Sequence, residues 1–244
     1  MKIAIMGTGL IGSQVARKLA AAGHDVGAHS LSTGVNLLTG EGLDDALRGA
    51  EVVVDLTNSP TFDDASVDFF RSSVTHLLAA AEKAGVRHVV ALSIVGVDQA
   101  PDVVYYRAKT LQEDLIKAGP IPYTIVRATQ FMEFVPSVLG WTTDGDVVRL
   151  PATPIQPIAS AEVADAVAEA AAGAPLGGTR DVGGPEVFPL DELGRITLAA
   201  TGDGRSVVTD ATAGMFAAFK GDMLTTGEGA HLATTHYRDW LRSR

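Results

Sequence analysis

The chain has 244 residues, enough for the hydrophobic core of one α/β domain, and 46% of them are hydrophobic while 20% are charged. This composition excludes a disordered or fibrous protein. The net charge of −10 argues against a sequence-independent nucleic-acid binder, which needs a basic surface. The absence of cysteine excludes disulfides, cysteine nucleophiles and thiolate metal sites.

The sequence shows no targeting or membrane segment. No apolar run approaches the roughly 18 residues that a membrane helix needs. The N-terminal apolar run is only a few residues long, ends at glycines and is followed by Arg17 and Lys18, unlike a signal peptide. We therefore expect a soluble, cytoplasmic protein that binds neither membranes nor nucleic acid.

A strand, a glycine-rich turn and a helix are predicted within residues 1–24. Gly7, Gly9 and Gly12 form G-x-G-x-x-G, in which the glycines permit a sharp turn, close approach of a pyrophosphate and tight packing of the helix on the strand. Glycine-rich turns also occur for backbone reasons alone, but here the flanking strand and helix supply the expected context. The phosphates would lie at the helix N-terminus. The predicted cofactor-binding residues of this turn are Gly7, Thr8, Gly9, Leu10, Ile11 and Gly12.

The second predicted strand covers residues 25–30 and ends at His29 and Ser30, which we predict to contact the cofactor. In NAD-binding proteins an acidic residue at this position binds the ribose 2′-hydroxyl. Here no carboxylate would repel a 2′-phosphate, which favours NADP. NAD stays open, because Leu31 follows instead of an arginine that would bind the phosphate, and His29 and Ser30 could simply end the strand.

A short helix over residues 41–48 precedes a valine-rich strand over 51–56, which is typical of a parallel strand covered on both faces. Thr57 and Asn58 follow at its carboxyl end, where ligands of such sheets bind. We predict that both contact the cofactor, with a simple turn as the alternative.

Helices and strands then alternate, which predicts βαβ units with right-handed crossovers. The expected fold class is therefore α/β, a Rossmann-like doubly wound parallel sheet with a small C-terminal substrate-side lobe. The predicted elements are a helix over residues 63–84 that ends at Gly85, a strand over 86–93, a helix over 103–118 and a strand over 122–127.

The later part of the chain is less regular. We expect a single NAD(P)-binding domain over residues 1–244, with 1–130 as the cofactor-binding core and 131–244 as substrate-side segments. The predicted later elements are a turn at 141–146, an edge strand at 154–159, a helix at 160–172 with Ser160 as N-cap, a strand at 179–182 and helices at 191–200 and 237–241.

Ser93, Tyr105 and Lys109 are the candidate catalytic residues. Tyr105 and Lys109 are four residues apart on a helix, so an ammonium group beside the phenol would lower the tyrosine pKa and make it a usable general acid. Ser93 would hydrogen-bond the developing oxyanion, and Lys109 would also hold ribose hydroxyls. The alternatives are that Tyr105 or Tyr106 packs in the core and that Lys109 is a solvated surface charge.

Further candidates follow the strand at 122–127. Thr129 is predicted to contact the cofactor, and loop packing is the alternative for this segment. The six histidines show no i, i+4 pair, so no metal site is expected. The predicted substrate-binding residues are Gln130, Phe131, Phe134 and Trp141.

Several segments resemble a known family. GTGLIG, Ser93 and the sequence YYRAK resemble the short-chain dehydrogenase/reductase superfamily, whose active site is Ser…Tyr-x-x-x-Lys. VVVDLTNSP, RHVVALSIVG, EDLIKAGPIPYTIVRATQFMEF and IASAEVADAVAEA resemble its atypical, NmrA-like NAD(P)-binding branch. The glycine turn is one residue shorter than the G-x-x-G-x-x-G usual in that branch.

The resemblance implies an NAD(P)-dependent oxidoreductase that transfers hydride between nicotinamide and a small carbonyl or quinone-like substrate. The branch also contains non-enzymatic redox sensors that bind a dinucleotide and regulate a partner protein, and this remains the alternative. An epimerase that retains its cofactor is a third reading. Surface helices such as the one predicted at 63–84 could pair in a homodimer.

Overall fold

The structure is a computed structural model and describes all residues 1–244. Its strands are β1 (Lys2–Met6), β2 (Asp25–His29), β3 (Val52–Asp55), β4 (His88–Ile94), β5 (Tyr123–Ala128), β6 (Thr143–Asp144), β7 (Val147–Leu150), β8 (Pro154–Ile155), β9 (Gly178–Gly183), β10 (Phe188–Pro189), β11 (Ser206–Thr209) and β12 (His231–Leu232). Its α-helices are α1 (Leu10–Ala21), α2 (Leu43–Ala46), α3 (Ala65–Ala84), α4 (Val104–Ala118), α5 (Val135–Trp141), α6 (Ser160–Ala172), α7 (Leu190–Thr201) and α8 (Tyr237–Arg242).

Seven strands form one sheet in the order β12-β9-β5-β4-β3-β1-β2. The pairs β1–β2, β1–β3, β3–β4 and β9–β12 are parallel. The chain passes from β1 to β2 on one side and returns to β3 on the other, so the strand order reverses at β1. Ligands of open α/β sheets bind beyond the carboxyl ends of the strands at such a reversal. The predicted Rossmann-like α/β class is confirmed.

The central strands are apolar because both of their faces are covered. All four residues of β3 are buried, and Ile3 and Ile5 of β1 are fully buried. On one face of the sheet, the core includes Val53 of β3 together with Val74 of α3 and Ile116 of α4. This packing holds α3 and α4 against the sheet. It thereby positions the residues that lie at the carboxyl edge of the sheet.

The predicted end of the long helix at Gly85 is confirmed by its local chemistry. The helix α3 ends at Gly85, which has φ 75° and donates its N–H to the carbonyl groups of Ala81 and Glu82. A glycine in the left-handed conformation is the usual residue at which a helix ends.

None of the helices is long and apolar enough to cross a membrane.

The chain divides into two compact units: residues 1–127 with 161–180, and residues 128–160 with 181–244. The predicted cofactor-binding and substrate-side segments divide at residue 130 instead, so α6 was expected among the substrate-side segments. In the structure α6 groups with the first unit, where its Asp165 forms an ion pair with Lys18 of α1 at 2.5 Å. Tertiary contacts of this kind cannot be predicted from the order of helices and strands along the chain.

The second unit differs in detail from its prediction. The predicted turn at 141–146 contains the end of α5 and a hairpin in which β6 pairs with β7 around Gly145, at φ 58°. The predicted strand at 154–159 shrinks to β8, which pairs with β10. Ser160, the predicted N-cap, is the first residue of α6. Its N–H and hydroxyl donate to the Glu133 carboxylate at 3.1 and 2.7 Å.

His88 is a buried titratable group of the first unit, 3% exposed. Its Nε2 lies 2.9 Å from Thr124 Oγ1, whereas Nδ1 is buried without a hydrogen-bond partner. Burial lowers the pKa of His88, since the imidazolium form would carry an unpaired buried N–H. The folded protein therefore favours the neutral ring.

This burial predicts a pH dependence of stability. As the pH falls through about 6.5, the unfolded chain takes up a proton that the folded His88 resists, so the free energy of unfolding decreases. Between about pH 7.5 and 5.5, we expect the melting temperature of His88→Gln to fall less than that of the wild type, as measured by thermal denaturation. Substitution of the exposed His231 by Gln is the control. The same pH dependence in His88→Gln and the wild type would contradict the prediction.

Candidate functional site

Two of the three turn glycines are required by contacts within the protein. Gly7 has φ 101°, and a Cβ there would lie 2.7 Å from the Leu56 carbonyl oxygen. A Cβ on Gly12 would lie 1.9 Å from the carbonyl oxygen of Gly7. Gly7 N–H also donates to His29 O at 2.8 Å, which ties the turn to the end of β2. These contacts place the turn at the point where the strand order reverses.

Gly9 has a different environment. A Cβ there would meet nothing within 4 Å, and Thr8, Gly9 and Leu10 are all exposed. No side chain caps α1 at Gly9, and no acidic residue lies in its first turn. The helix therefore begins with exposed backbone N–H groups that favour an anion. An exposed, uncapped helix start of this kind fits a pyrophosphate, whereas the side chain of Ile11 is buried.

The end of β2 carries hydroxyl groups and no carboxylate. Ser30 N–H donates to Thr33 Oγ1 at 2.8 Å, and the hydroxyl oxygens of Ser30 and Ser32 lie 2.9 Å apart. Burial, with a smaller effect from Lys2, lowers the pKa of His29. The segment thus offers neutral hydrogen-bonding groups beside the glycine turn.

The turn after β3 is organised by Asp55, which is 1% exposed. Its Oδ1 accepts hydrogen bonds from Thr57 N–H at 3.1 Å and from Thr57 Oγ1 at 2.6 Å. The next residue, Asn58, accepts a hydrogen bond from the Tyr105 hydroxyl through its Oδ1. The structure thus brings the predicted residues Thr57, Asn58 and Tyr105 to one edge of the first unit.

Tyr105 does not have the predicted lowered pKa. It is partly buried, and its ring packs edge-on against Phe62 with centroids 4.9 Å apart. Burial raises its pKa to about 12, and the hydrogen bond to Asn58 only partly offsets this effect. The expected stabilisation of the phenolate by Lys109 is absent. The neighbouring Tyr106 is buried, which is the packing role considered for it.

Lys109 is directed into the interior instead of towards solvent. It is 4% exposed, and its ammonium donates to Leu92 O at 2.7 Å and to Gln112 Oε1. The nitrogen also lies 4.9 Å from the centre of the Phe70 ring. Burial lowers its pKa to about 8, opposed by the charges of Asp55 and Glu113. Spacing along the helix set the position of the Lys109 backbone, but the available acceptors set the position of its ammonium group.

Ser93 lies near the end of β4 and is 3% exposed. Its hydroxyl makes no well-formed hydrogen bond, although its nearness contributes to lowering the pKa of Glu113. Burial opposes ionisation of Glu113, but hydrogen bonds from Arg127 at 2.8 and 2.6 Å and from Lys117 at 2.8 Å outweigh it. Ser93 therefore lies beside a buried, ionised carboxylate.

The sequence prediction missed the charged and amide groups around this edge. These groups share the buried face of α4 or the ends of the strands that it covers. The helix carries polar residues three and four positions after Lys109, on the same face, but apolar periodicity does not mark such a face as buried. The missed residues are Asp55, Gln112, Glu113 and Arg127.

The remaining predicted residues belong to the second unit. Thr129 is 1% exposed with an unpaired hydroxyl, and the amide of Gln130 is buried without partners at both Oε1 and Nε2. Phe134 and Trp141 are 38% and 57% exposed and pack edge-to-face at 5.1 Å. Phe131 is partly buried and forms a bridge to Ile158. Cofactor binding by Thr129 and substrate binding by the others stay predictions.

No group of three histidine, aspartate or glutamate side chains is arranged to hold a metal ion.

A family described as NAD(P)H-binding matches residues 7–173. The chain is also 33% identical over 148 residues to a (4-alkanoyl-5-oxo-2,5-dihydrofuran-3-yl)methyl phosphate reductase of Streptomyces griseus subsp. griseus. That alignment covers 55% of this chain and 48% of the relative, so the chain spans about half the length of the curated relative.

Solved structures show the same fold. A nucleoside-diphosphate-sugar epimerase of Staphylococcus aureus has a TM-score of 0.76 and 17% identity, covering 99% of this chain and 100% of its own. An NADPH-dependent quinone oxidoreductase of Escherichia coli, complexed with NADPH, has a TM-score of 0.65 and 18% identity, covering 86% and 78%. The family match confirms the predicted NAD(P)-binding family, and the solved structures confirm the predicted fold. Since the family match covers more than half of the chain, this protein belongs to the NAD(P)H-binding family.

Proposed function

We propose that this protein is an NAD(P)-dependent oxidoreductase that transfers hydride between nicotinamide and a small carbonyl or quinone-like substrate. The observation that carries the proposal is the exposed, uncapped glycine turn at the reversal of the sheet. The match to the NAD(P)H-binding family supports it. The activities named for the reductase relative and the quinone oxidoreductase point in the same direction.

NADP is the proposed cofactor, because the end of β2 offers the hydroxyls of Ser30, Ser32 and Thr33 and no carboxylate that would repel a 2′-phosphate. The E. coli neighbour complexed with NADPH supports this choice. When bound, the cofactor supplies the hydride, and the protein supplies position and charge.

Tyr105 is the proposed proton donor. With a pKa of about 12 its phenol stays protonated near neutral pH. In carbonyl reduction, hydride adds to the carbonyl carbon and the oxygen takes the phenolic proton, which leaves an alcohol and a phenolate that is reprotonated from solvent. This role requires the hydroxyl to exchange its acceptor, Asn58 Oδ1, for the substrate oxygen.

No observation in the structure favours the redox-sensor alternative. The proposal includes catalytic roles for Ser93 and Lys109 and binding of the small-molecule substrate by residues of the second unit. We also propose that the protein forms a homodimer and is located in the cytoplasm.

Tyr105→Phe tests the proposed function. We expect the turnover of NADPH with the best acceptor from a panel of quinones and aldehydes to fall by about 100-fold or more, since general acid catalysis is lost. NADPH affinity should change little. Tyr106→Phe, one residue along the same helix, is the matched control and should retain turnover. Full activity of Tyr105→Phe would refute the assignment, and redox-dependent binding without any turnover in the wild type would favour a sensor.

Ser30→Asp tests the choice of cofactor. A carboxylate at the end of β2 should repel a 2′-phosphate, so we expect NADPH affinity to fall at least about tenfold, roughly 1.4 kcal/mol, with little change for NADH. Ser30→Asn is the neutral control of the same shape. Calorimetric titration with both dinucleotides gives the answer, and equal losses for NADPH and NADH would argue against a 2′-phosphate at Ser30.

The two glycine environments predict two different mutant phenotypes. Gly12→Ala should destabilise the fold by about 2 kcal/mol or more, because its Cβ would overlap the Gly7 carbonyl oxygen. Gly9→Ala should keep the melting temperature of the wild type but bind NADPH at least about tenfold more weakly. Thermal denaturation and calorimetry separate the two effects. Unchanged NADPH affinity in Gly9→Ala would place the pyrophosphate elsewhere.

A further inference from the structure

A buried chain of hydrogen bonds connects the end of β3 to the candidate lysine on α4. Thr57 donates to Asp55 Oδ1, and Asp55 Oδ2 accepts from Gln112 Nε2 at 2.8 Å. Gln112 Oε1 in turn accepts from the Lys109 ammonium. Asp55 and Gln112 are each 1% exposed and Lys109 is 4% exposed, so water does not compete for these bonds.

The chemistry of the two ends determines the orientation of the Gln112 amide. An ionised Asp55 can only accept hydrogen bonds, and the Lys109 ammonium can only donate them. A neutral amide has a donor at one end and an acceptor at the other, so Gln112 satisfies both neighbours in one orientation only. In a flipped amide, the Gln112 oxygen would face the Asp55 carboxylate, so that two acceptors meet, and the Gln112 N–H groups would face the Lys109 ammonium, so that two donors meet.

Few other groups are available to Lys109. The charges that act on it are Asp55 from β3 and Glu113 from its own helix. Glu113 is already bonded to Arg127 and Lys117. The strand β4 contributes the Leu92 carbonyl, and α3 contributes only the Phe70 ring. Gln112 is therefore the one side chain that both hydrogen-bonds Lys109 and links it to a carboxylate.

We propose that Gln112 is a positioning residue, whose amide connects Asp55 to Lys109 and holds the lysine in its charged form for a bound dinucleotide. The inference rests on the proposed function, because it assigns Lys109 to the cofactor. Gln112 itself need not touch the ligand. It acts by fixing the ammonium between Leu92 O and its own Oε1.

The test compares Gln112→Met, Asp55→Asn and the double variant with the wild type. Isotope-labelled lysine NMR in the protein without cofactor follows the titration of the six lysines, and Lys109→Arg identifies the signal of Lys109. Calorimetry measures NADPH affinity across the same pH range. Asp114→Asn, on the exposed side of α4, is the control for a change of one charge on this helix. Circular dichroism checks that each variant is folded.

We expect each single variant to lower the pKa of Lys109, which is about 8 in the wild type, and the shift of the double variant to be smaller than the sum of the two single shifts. Asp55 also acts on Lys109 directly through its charge, but the part of its effect that passes through Gln112 is lost in either single variant. NADPH affinity should then decrease with rising pH at a lower pH than in the wild type. Asp114→Asn should leave both measurements unchanged.

Two results would overturn the proposal. Fully additive shifts would mean that Asp55 acts on Lys109 through space alone and that the Gln112 amide does not connect them. An unaltered affinity profile despite a shifted pKa of Lys109 would mean that the ammonium does not serve the dinucleotide. Failure of the proposed function is a separate observation, namely a wild type that binds NADPH but reduces no acceptor.

Discussion

The arrangement of this site depends on one buried carboxylate. Asp55 ends β3 at the reversal of the sheet and is 1% exposed, so its charge must be compensated by hydrogen bonds. It obtains them from Thr57 and from Gln112. These bonds fix the turn that follows β3 and attach α4 to the edge of the sheet. A hydrogen bond to a charged group typically contributes about 1.5–3 kcal/mol, so loss of Thr57 or Gln112 as a donor would destabilise this edge.

The glycine turn and this polar network perform complementary tasks. At the turn, close backbone packing of Gly7 and Gly12 leaves the exposed start of α1 free for an anion. On α4, Lys109 is hydrogen-bonded to the buried Gln112, and Tyr105 is hydrogen-bonded to the exposed Asn58 that follows β3. The proposed binding and catalytic residues are thus held by different kinds of interaction, one from the backbone and one from side chains.

The first unit contains a second buried ionic group, which links the same helix to β5. Glu113 is 1% exposed and bonds Arg127 of β5 and Lys117 of α4. Polar residues therefore occupy much of the face that α4 turns to the sheet, where an amphipathic helix would normally place apolar side chains. Buried charges contribute little net stability, and their concentration beside Ser93 and Lys109 is typical of a functional site.

The amino-acid sequence alone determined the strand-turn-helix at Gly7–Gly12, the α/β alternation and most boundaries in the first unit, because periodicity, glycine positions and caps are local properties. It also indicated Thr57 and Asn58, because ligands bind at the carboxyl ends of parallel strands, and Tyr105, because of its helical spacing to Lys109. Only the tertiary structure decided that Lys109 turns inward, that the Tyr105 pKa rises and that α6 belongs to the first unit. Spacing along a helix places backbone atoms, but the direction of a long side chain and the pKa of a phenol depend on burial and on acceptors from distant segments.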